Sequence, residues 1–485
     1  MDLKQKRQAM KGLSTPLSEG NPPSNEESVG KARGRYKAAA WTATANLVGR
    51  PLNLAMSLAI VGLAVRSLGP DRYGIWINCH TLALWFSVCE CGVASSLLNR
   101  VARARAQEDK DAYLKTIATA NTFLVLVGLG VFALVSLLAY FGPLPALLDP
   151  TGVVIKSETR ACMVVFGAFA AALIPLQLYD RVALAHQEGW LNVIGQLTAT
   201  AAALVMVAAA VGFNASLPVV AGAWVVGTLL GMMLVRAAIR RRYRERLAGA
   251  QAVFCRTEMK ELLGAGFWFV VASFAGQLAL QSDPLILTIA ENLTGRPVGP
   301  SVATELAVPM RLFNVINAFA ILAVNPLWPA YADATARGDT RWAYRTLVMS
   351  SAIAVATAFV AVTPCVLFGE QLLSLWVGDA VHVAPSLLTA YAAWTITMVS
   401  IHSLSVFCQG QGSGMLRLHS VTSAAFLIVA MPAKLLGLSI AGPTGLVIAT
   451  TVAGLCAQMI PLIAAIGIGV AKNKSMQHVA DNPGG

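Results

Sequence analysis

A stripe of polar residues lies in the first long apolar run of the sequence, residues 38–65. Spacings of 4, 4, 3 and 4 residues place its members on one face of a helix: Thr42, Asn46, Arg50, Asn53 and Ser57. A guanidinium among amides and hydroxyls is suited to an anion, because arginine donates paired hydrogen bonds to phosphate or carboxylate oxygens. The stripe therefore predicts an anion-binding face on an apolar helix.

Further polar residues interrupt later apolar runs. An ionisable side chain inside a membrane costs roughly 2.5–3.5 kcal/mol, so each one is a candidate functional group. We expect two sets of such residues to face a wet, partly cationic cavity. The first set is Arg50, Arg311, Asn46, Asn53, Asn314, Gln277, Gln281 and Lys434, and the second is the two carboxylates Glu90 and Asp283.

An alternative interpretation makes these charges structural. Arg50 can pair with Glu90, and Asp283 with Arg311, as ion pairs that hold helices together. The histidines within apolar runs, His80 and His402, are predicted to be hydrogen-bonded interior groups, because neither has a carboxylate at helical spacing.

The cysteines indicate neither a metal site nor a disulfide framework. Cys89 and Cys91 lie two residues apart, without a second Cys or His pair at metal-ligand spacing nearby. We expect free thiols that pack as small apolar groups. The sequence predicts no metal and no cofactor.

The elements that position these residues are transmembrane helices. The chain of 485 residues is 56% hydrophobic and 12% charged, with a mean hydropathy of +0.64. Apolar runs of roughly 18 residues or more can cross a hydrocarbon core about 30 Å thick. We number twelve predicted spans: 38–65, 73–97, 117–141, 159–178, 190–212, 216–236, 262–290, 302–328, 346–368, 385–408, 417–437 and 442–470.

The basic residues predict the orientation. The net charge of +12 arises mainly from short segments between apolar runs, so we expect no nucleic-acid partner. Lys and Arg concentrate after spans 2, 6 and 8, which the positive-inside rule places in the cytoplasm together with both termini. Residues 1–37 are predicted to form a disordered cytoplasmic tail and residues 471–485 a second one.

An internal repeat predicts two lobes. VARARAQEDKDAYLKT at 101–116 aligns without gaps with YADATARGDTRWAYRT at 331–346, and the same offset brings Gly69-Pro70 onto Gly299-Pro300. The offset crosses an even number of spans, so the halves share one orientation. We predict an all-α polytopic membrane protein with an N-terminal lobe at 38–236, a basic linker at 237–261 and a C-terminal lobe at 262–470, related by a pseudo-two-fold axis along the membrane normal.

Four segments resemble the polysaccharide or O-antigen flippase family, which shares a superfamily with multidrug exporters and peptidoglycan-precursor flippases. They are RSLGPDRYGIWIN at 66–78, CECGVASSLLNRVARA at 89–104, NPLWPAYADATARGD at 325–339 and LLSLWVGD at 372–379. The family usually has Asp-x-Gly where this chain has Glu90-Cys91-Gly92, which keeps the negative charge.

The resemblance implies a flippase in the bacterial inner membrane, which moves a polyprenyl-pyrophosphate-linked oligosaccharide to the periplasmic leaflet by ion-coupled alternating access. Arg50 and Arg311 would hold the pyrophosphate, while Glu90 and Asp283 balance charge or carry a coupling ion. It also implies a glycan polymerase and glycosyltransferases as pathway partners. Two alternatives remain open: an exporter of cationic drugs on the same fold, and a membrane glycan polymerase or ligase, against which the short outer loops and the lack of a catalytic constellation argue.

Overall fold

The computed structural model describes residues 25–87, 90, 93–243, 254–263, 278–293, 299–411 and 413–468. Within these ranges the chain is helical, with short connections and no strand. The first helix, Asn25–Ser87, includes part of the predicted tail, residues 25–37. Residues 1–24, the predicted C-terminal tail and Gln277 lie outside the described ranges.

The described residues contain nine helices that are long and apolar enough to cross a membrane. Two of these helices are long enough to contain two predicted spans each. Thr44–Phe86 is broken at Gly69, whose φ is 75°, and Gly414–Ile468 is broken at Ala441 and Gly442. The breaks give spans 1 and 2 and spans 11 and 12. Eleven spans are therefore described, together with the end of span 7, Asp283–Leu293.

The other spans are single helices: Lys110–Phe141 is span 3, Lys156–Ala185 span 4, Gly189–Gly212 span 5, Leu217–Arg242 span 6, Ser301–Val324 span 8, Thr340–Leu367 span 9 and Pro385–Gly410 span 10. Span 12 contains a π-helical turn, Leu455–Met459. Short helices connect the spans: Val93–Ala106, Leu144–Leu148, 256–263, Leu327–Ala336 and Gly369–Val377.

Several predicted boundaries change. Span 2 was expected to run to residue 97, but its helix ends at Ser87 and a new one begins at Val93. Span 8 ends at Val324 instead of 328, because Pro326 precedes a new helix at Leu327. The described parts of the predicted linker are mostly helical, since span 6 continues to Arg242 and residues 256–263 form a helix.

The repeat inferred from the sequence is present in the backbone. The helices Val93–Ala106 and Leu327–Ala336 end in the same turn, with positive φ at Glu108 and Gly338. The next span in each lobe is then capped by an aspartate. The Asp109 carboxylate accepts from the Ala112 amide at 2.9 Å, and Asp339 accepts from the Trp342 amide at 3.1 Å. The same local structure therefore recurs 230 residues later.

The two lobes meet through equivalent residues. The Ser301 amide donates to Asp71 Oδ1 at 3.2 Å, and the Thr304 hydroxyl donates to the Pro70 carbonyl at 2.6 Å. In the reciprocal contact, a Cβ on Gly74 would lie 1.8 Å from the Pro300 carbonyl oxygen, so only glycine fits there. Positions 70, 71 and 74 correspond to 300, 301 and 304. Such reciprocity is the signature of a two-fold axis, which here relates the two lobes.

Candidate functional site

The described contacts between the lobes concentrate at one end of the bundle and near mid-span. We call this the Gly69 end; it comprises residues 66–72, 142–155, 213–216, 299–301, 368–384 and 441–442. The opposite end, with residues 93–109, 186–188, 254–263, 325–339 and 411, is the Arg100 end. Near mid-span the Asn78 amide donates to Thr288 at 3.0 Å, which joins span 2 to span 7.

The helix Gly369–Val377 fastens the C-terminal lobe to span 1 at the Gly69 end. The Trp376 indole donates to the Leu58 carbonyl at 2.8 Å, and Arg66 donates to the carbonyls of Leu375 and Trp376. Gly62 allows this contact, because a Cβ there would lie 3.0 Å from the Trp376 carbonyl oxygen and 3.1 Å from its ring. A cation at the C-terminal end of a helix is also favourable.

An inter-lobe cavity of about 160 Å³ lies between span 8 and the helices of the N-terminal lobe. We call it the Arg311 cavity. All its lining residues but one come from spans 1, 2, 5 and 6, and the exception is Arg311 of span 8. The lining is Ser57, Ile60, Val61, Tyr73, Trp76, Ile77, His80, Thr200, Trp224, Thr228 and Arg311.

Arg311 belongs to the C-terminal lobe, but the other residues that line its cavity belong to the N-terminal lobe. It lies ten residues from the start of span 8, about 15 Å along the helix axis and so near the membrane centre. Its Nε is buried and has no hydrogen-bond partner among the described residues. The described residues around it are hydroxyls, aromatic rings, aliphatic side chains and His80, and none of these is a carboxylate that could neutralise it. The cavity therefore offers an incompletely satisfied guanidinium to an anion.

The predicted stripe of span 1 leads toward this cavity. Ser57 lines it, and Asn53 accepts a hydrogen bond of 2.5 Å from Thr200, another lining residue. Arg50 is exposed, and its Nε donates to Asn46 at 3.2 Å. Arg50 lies 18 residues from Leu68, about 27 Å from the Gly69 end. Along the helix axes it is thus about 12 Å nearer the Arg100 end than Arg311.

A second cavity of about 260 Å³ is lined by residues of the C-terminal lobe. We call it the Asn317 cavity. Spans 7, 8, 10 and 12 line it. Its residues are Ala279, Leu280, Gln281, Asp283, Met310, Asn314, Asn317, Ala318, Ala320, Ile321, Tyr391, Trp394, Met398, Val399, His402, Val447 and Thr450. Span 8 lines both cavities, the cationic one through Arg311 and the amide-rich one through Asn314 and Asn317.

Lys434 does not line either cavity. Its side chain is fully buried, and its ammonium donates to Asp283 and to the Ala279 carbonyl. The carboxylate of Asp283 is therefore paired with Lys434 and not with Arg311, the partner considered from the sequence. Two residues 151 positions apart join span 7 to span 11.

Glu90 lies between the helix that ends at Ser87 and the one that begins at Val93. Its Oε2 is buried without a hydrogen-bond partner among the described residues, and the nearby charge of Arg181 acts on it. The structure gives Arg50 a bond to Asn46 and leaves Glu90 beside span 4, so it does not show the alternative pairing of these two residues.

The C-terminal end of the predicted linker is attached to the N-terminal lobe. Arg100 donates to Glu258 at 2.7 Å and to Glu261 at 2.6 Å, and Thr116 also donates to Glu258. Partial burial opposes the charged form of Arg100, but the hydrogen bonds and charges of the two glutamates outweigh this and raise its pKa. The helix 256–263 is therefore held against the N-terminal lobe at the Arg100 end.

The sequence did not identify the residues of spans 5 and 6 at the Arg311 cavity. Thr200 and Thr228 are isolated hydroxyls in alanine- and valine-rich stretches, and such residues commonly bond their own backbone, as Thr228 does to the Trp224 carbonyl at 2.8 Å. Trp224 could have been noted, because it lies within an apolar span instead of at its end. His80, predicted to be a hydrogen-bonded interior group, packs edge-on against Trp224 at 5.1 Å and lines the cavity.

Comparison with solved structures identifies the fold. The fold is similar to that of the lipid II flippase MurJ in an inward closed conformation, with a TM-score of 0.68 and 12% identity over 88% of this chain and 87% of that one. An inward-facing multidrug resistance transporter of the MATE family, within the MOP superfamily, gives 0.65 and 14% over 89% and 96%. The outward-facing conformation of such a transporter gives 0.58 and 16% over 90% and 97%. This is the twelve-helix, two-lobe fold predicted above.

The family follows from the sequence. Residues 36–366 match the family model described as polysaccharide biosynthesis protein. The chain belongs to this family, which confirms the resemblance. A comparison with curated protein sequences finds no match.

Proposed function

We propose that the chain is a flippase that carries a polyprenyl-pyrophosphate-linked oligosaccharide from the cytoplasmic to the periplasmic leaflet of a bacterial inner membrane. The observation that carries the proposal is Arg311, a guanidinium at mid-membrane depth whose buried Nε has no partner among the described residues. A diphosphate supplies the acceptor oxygens and the negative charge that this group lacks.

The two arginines act in succession. Arg50, exposed about 12 Å nearer the Arg100 end, meets the pyrophosphate at the mouth of the cleft, and Arg311 receives it further in. The Arg100 end is assigned to the cytoplasm by its basic residues, so the conformation with lobes joined at the Gly69 end is the inward-open one. The polyprenyl tail stays in lipid between the lobes.

The carboxylates have different roles. Asp283 balances the charge of Lys434, with which it is already paired. Glu90, whose buried oxygen has no described partner, is the carboxylate that carries a coupling proton or sodium ion. Transport that depends on neither the proton gradient nor the sodium gradient would contradict this role.

The rival function is export of cationic drugs, since the multidrug transporter has a similar fold. The Arg311 cavity argues against it, because its lining contains a guanidinium and no carboxylate. A cation would be repelled there.

Substitution of Arg311 tests the proposal in cells that depend on this chain for surface polysaccharide. Arg311→Gln removes charge-assisted hydrogen bonds worth about 1.5–3 kcal/mol, and we expect transport to fall roughly 10- to 100-fold at equal abundance. Arg311→Lys should retain part of the activity, because the charge remains. Arg341→Gln, an exposed arginine at the Arg100 end, is the matched control and should behave as wild type. Full transport by an Arg50→Ala, Arg311→Ala double variant would contradict the proposal.

A further inference from the structure

The Asn317 cavity has a polar lining whose ionic groups cancel. Its one carboxylate, Asp283, is neutralised by the Lys434 ammonium behind the wall. Both side chains are almost completely buried, at 0% and 9% exposure. Because each charge is balanced by the other, neither needs a mobile ion. Apart from His402, the other lining residues are amides, hydroxyls, aromatic rings and aliphatic side chains. The cavity therefore selects for a neutral ligand.

The lining has the chemistry that recognises hydroxyl groups. Gln281, Asn314 and Asn317 each carry an amide, which both donates and accepts hydrogen bonds, as a sugar hydroxyl does. Asn317 Oδ1 is buried with no partner among the described residues, so the cavity contains a hydrogen-bond acceptor that a ligand hydroxyl can satisfy. Trp394 and Tyr391 add aromatic surface against which apolar C–H groups can pack.

The volume and position define which part of a cargo fits. About 260 Å³ is on the scale of one sugar ring and far below an oligosaccharide chain. Arg311 of one cavity and Asn314 of the other are three residues apart on span 8, so their Cβ atoms lie about 5–6 Å apart. A glycan whose pyrophosphate binds Arg311 therefore has the Asn317 cavity within reach of its sugars along the same helix.

We propose that the Asn317 cavity is a carbohydrate subsite, which binds one neutral sugar ring of the cargo. The two cavities divide the cargo chemically, with the anion in the Arg311 cavity and a sugar in the Asn317 cavity. The identification of the cargo rests on the proposed function, whereas the affinity of the cavity for a neutral sugar does not.

The test measures equilibrium binding to the full chain in lipid nanodiscs. The probes are the lipid-linked oligosaccharide extracted from the cells that make this protein, the free glycan released from it by mild acid, and polyprenyl pyrophosphate alone. The variants are Gln281→Leu and Asn317→Leu. Gln371→Leu, an exposed glutamine of the helix Gly369–Val377, is the matched control.

We expect the two cavity variants to bind the released glycan and the intact cargo about 5- to 30-fold more weakly, as loss of one or two hydrogen bonds predicts. Their affinity for polyprenyl pyrophosphate should equal that of wild type, which also shows that they are folded. Arg311→Gln should weaken binding of polyprenyl pyrophosphate but not of released glycan. Equal affinity of wild type and both cavity variants for the released glycan, or no binding of it by wild type, would overturn the subsite. Failure of wild type to bind polyprenyl pyrophosphate, with glycan binding still dependent on Asn317, would overturn the proposed function and leave the subsite in place.

Discussion

Lys434 determines which role Asp283 can have, because the two side chains form a buried ion pair. A carboxylate alone in a membrane helix is a natural site for a coupling cation, but Asp283 has its cation supplied by the chain. Removal of one partner from such a buried pair leaves an uncompensated charge, whereas replacement of both by apolar residues removes the charges together. The pair can therefore be tested separately from transport.

We predict that Lys434→Met lowers stability by about 3–5 kcal/mol and that adding Asp283→Leu restores most of the loss. The shift in the midpoint of thermal denaturation in detergent reports both the loss of stability and its recovery. Arg337→Met breaks an exposed pair with Asp333 and, as the control, should have an effect below about 1 kcal/mol. A double variant as unstable as Lys434→Met alone would show that charge compensation is not the role of Lys434.

The residues of the candidate site were only partly predictable. Arg311 and Asp283 could be identified because a charge in an apolar span is costly wherever the span packs. Their partners could not, since pairing depends on which spans are neighbours. Lys434 lies 151 residues from Asp283, and Thr200 reaches the Arg311 cavity from another helix pair.

At the scale of elements, the interiors of the spans were predictable and their ends were not. Spans 3 and 9 begin at Lys110 and Thr340, six or seven residues before the predicted starts at 117 and 346. Asp109 and Asp339 cap these helices with side-chain hydrogen bonds, so polar residues outside the hydrocarbon core extend each helix. Hydrophobicity marks only the part of a helix that crosses lipid.

The helix Gly369–Val377 is the element that joins the C-terminal lobe to span 1. We predict that Gly62→Val displaces Trp376, because the new side chain would overlap its ring and carbonyl, and shifts the protein toward conformations open at the Gly69 end. Spin labels at Ile155 and Leu375, exposed positions on the two lobes, would report longer distances in a cysteine-free background.

Gly130→Val is the matched control for this experiment, because a Cβ at Gly130 in span 3 meets nothing within 4 Å. It should leave the distance distribution unchanged. A distribution for Gly62→Val identical to that of wild type would show that the contact between Trp376 and span 1 does not hold the lobes together.

The whole molecule is two related lobes that meet through equivalent residues. The contacts of Pro70 with Thr304 and of Gly74 with Pro300 are reciprocal about one axis, and the described lobe contacts concentrate at the Gly69 end. Opening there and closing at the Arg100 end would expose the Arg311 cavity to the other leaflet. That exchange is the alternating access that a flippase requires.

Transport by the purified chain in liposomes is the most direct measurement of the central claim. We predict that it moves a polyprenyl-pyrophosphate-linked oligosaccharide between leaflets, that Arg311→Gln slows this movement roughly 10- to 100-fold, and that a cationic dye is not moved. Movement of the cationic dye without any movement of the lipid-linked oligosaccharide would contradict the account.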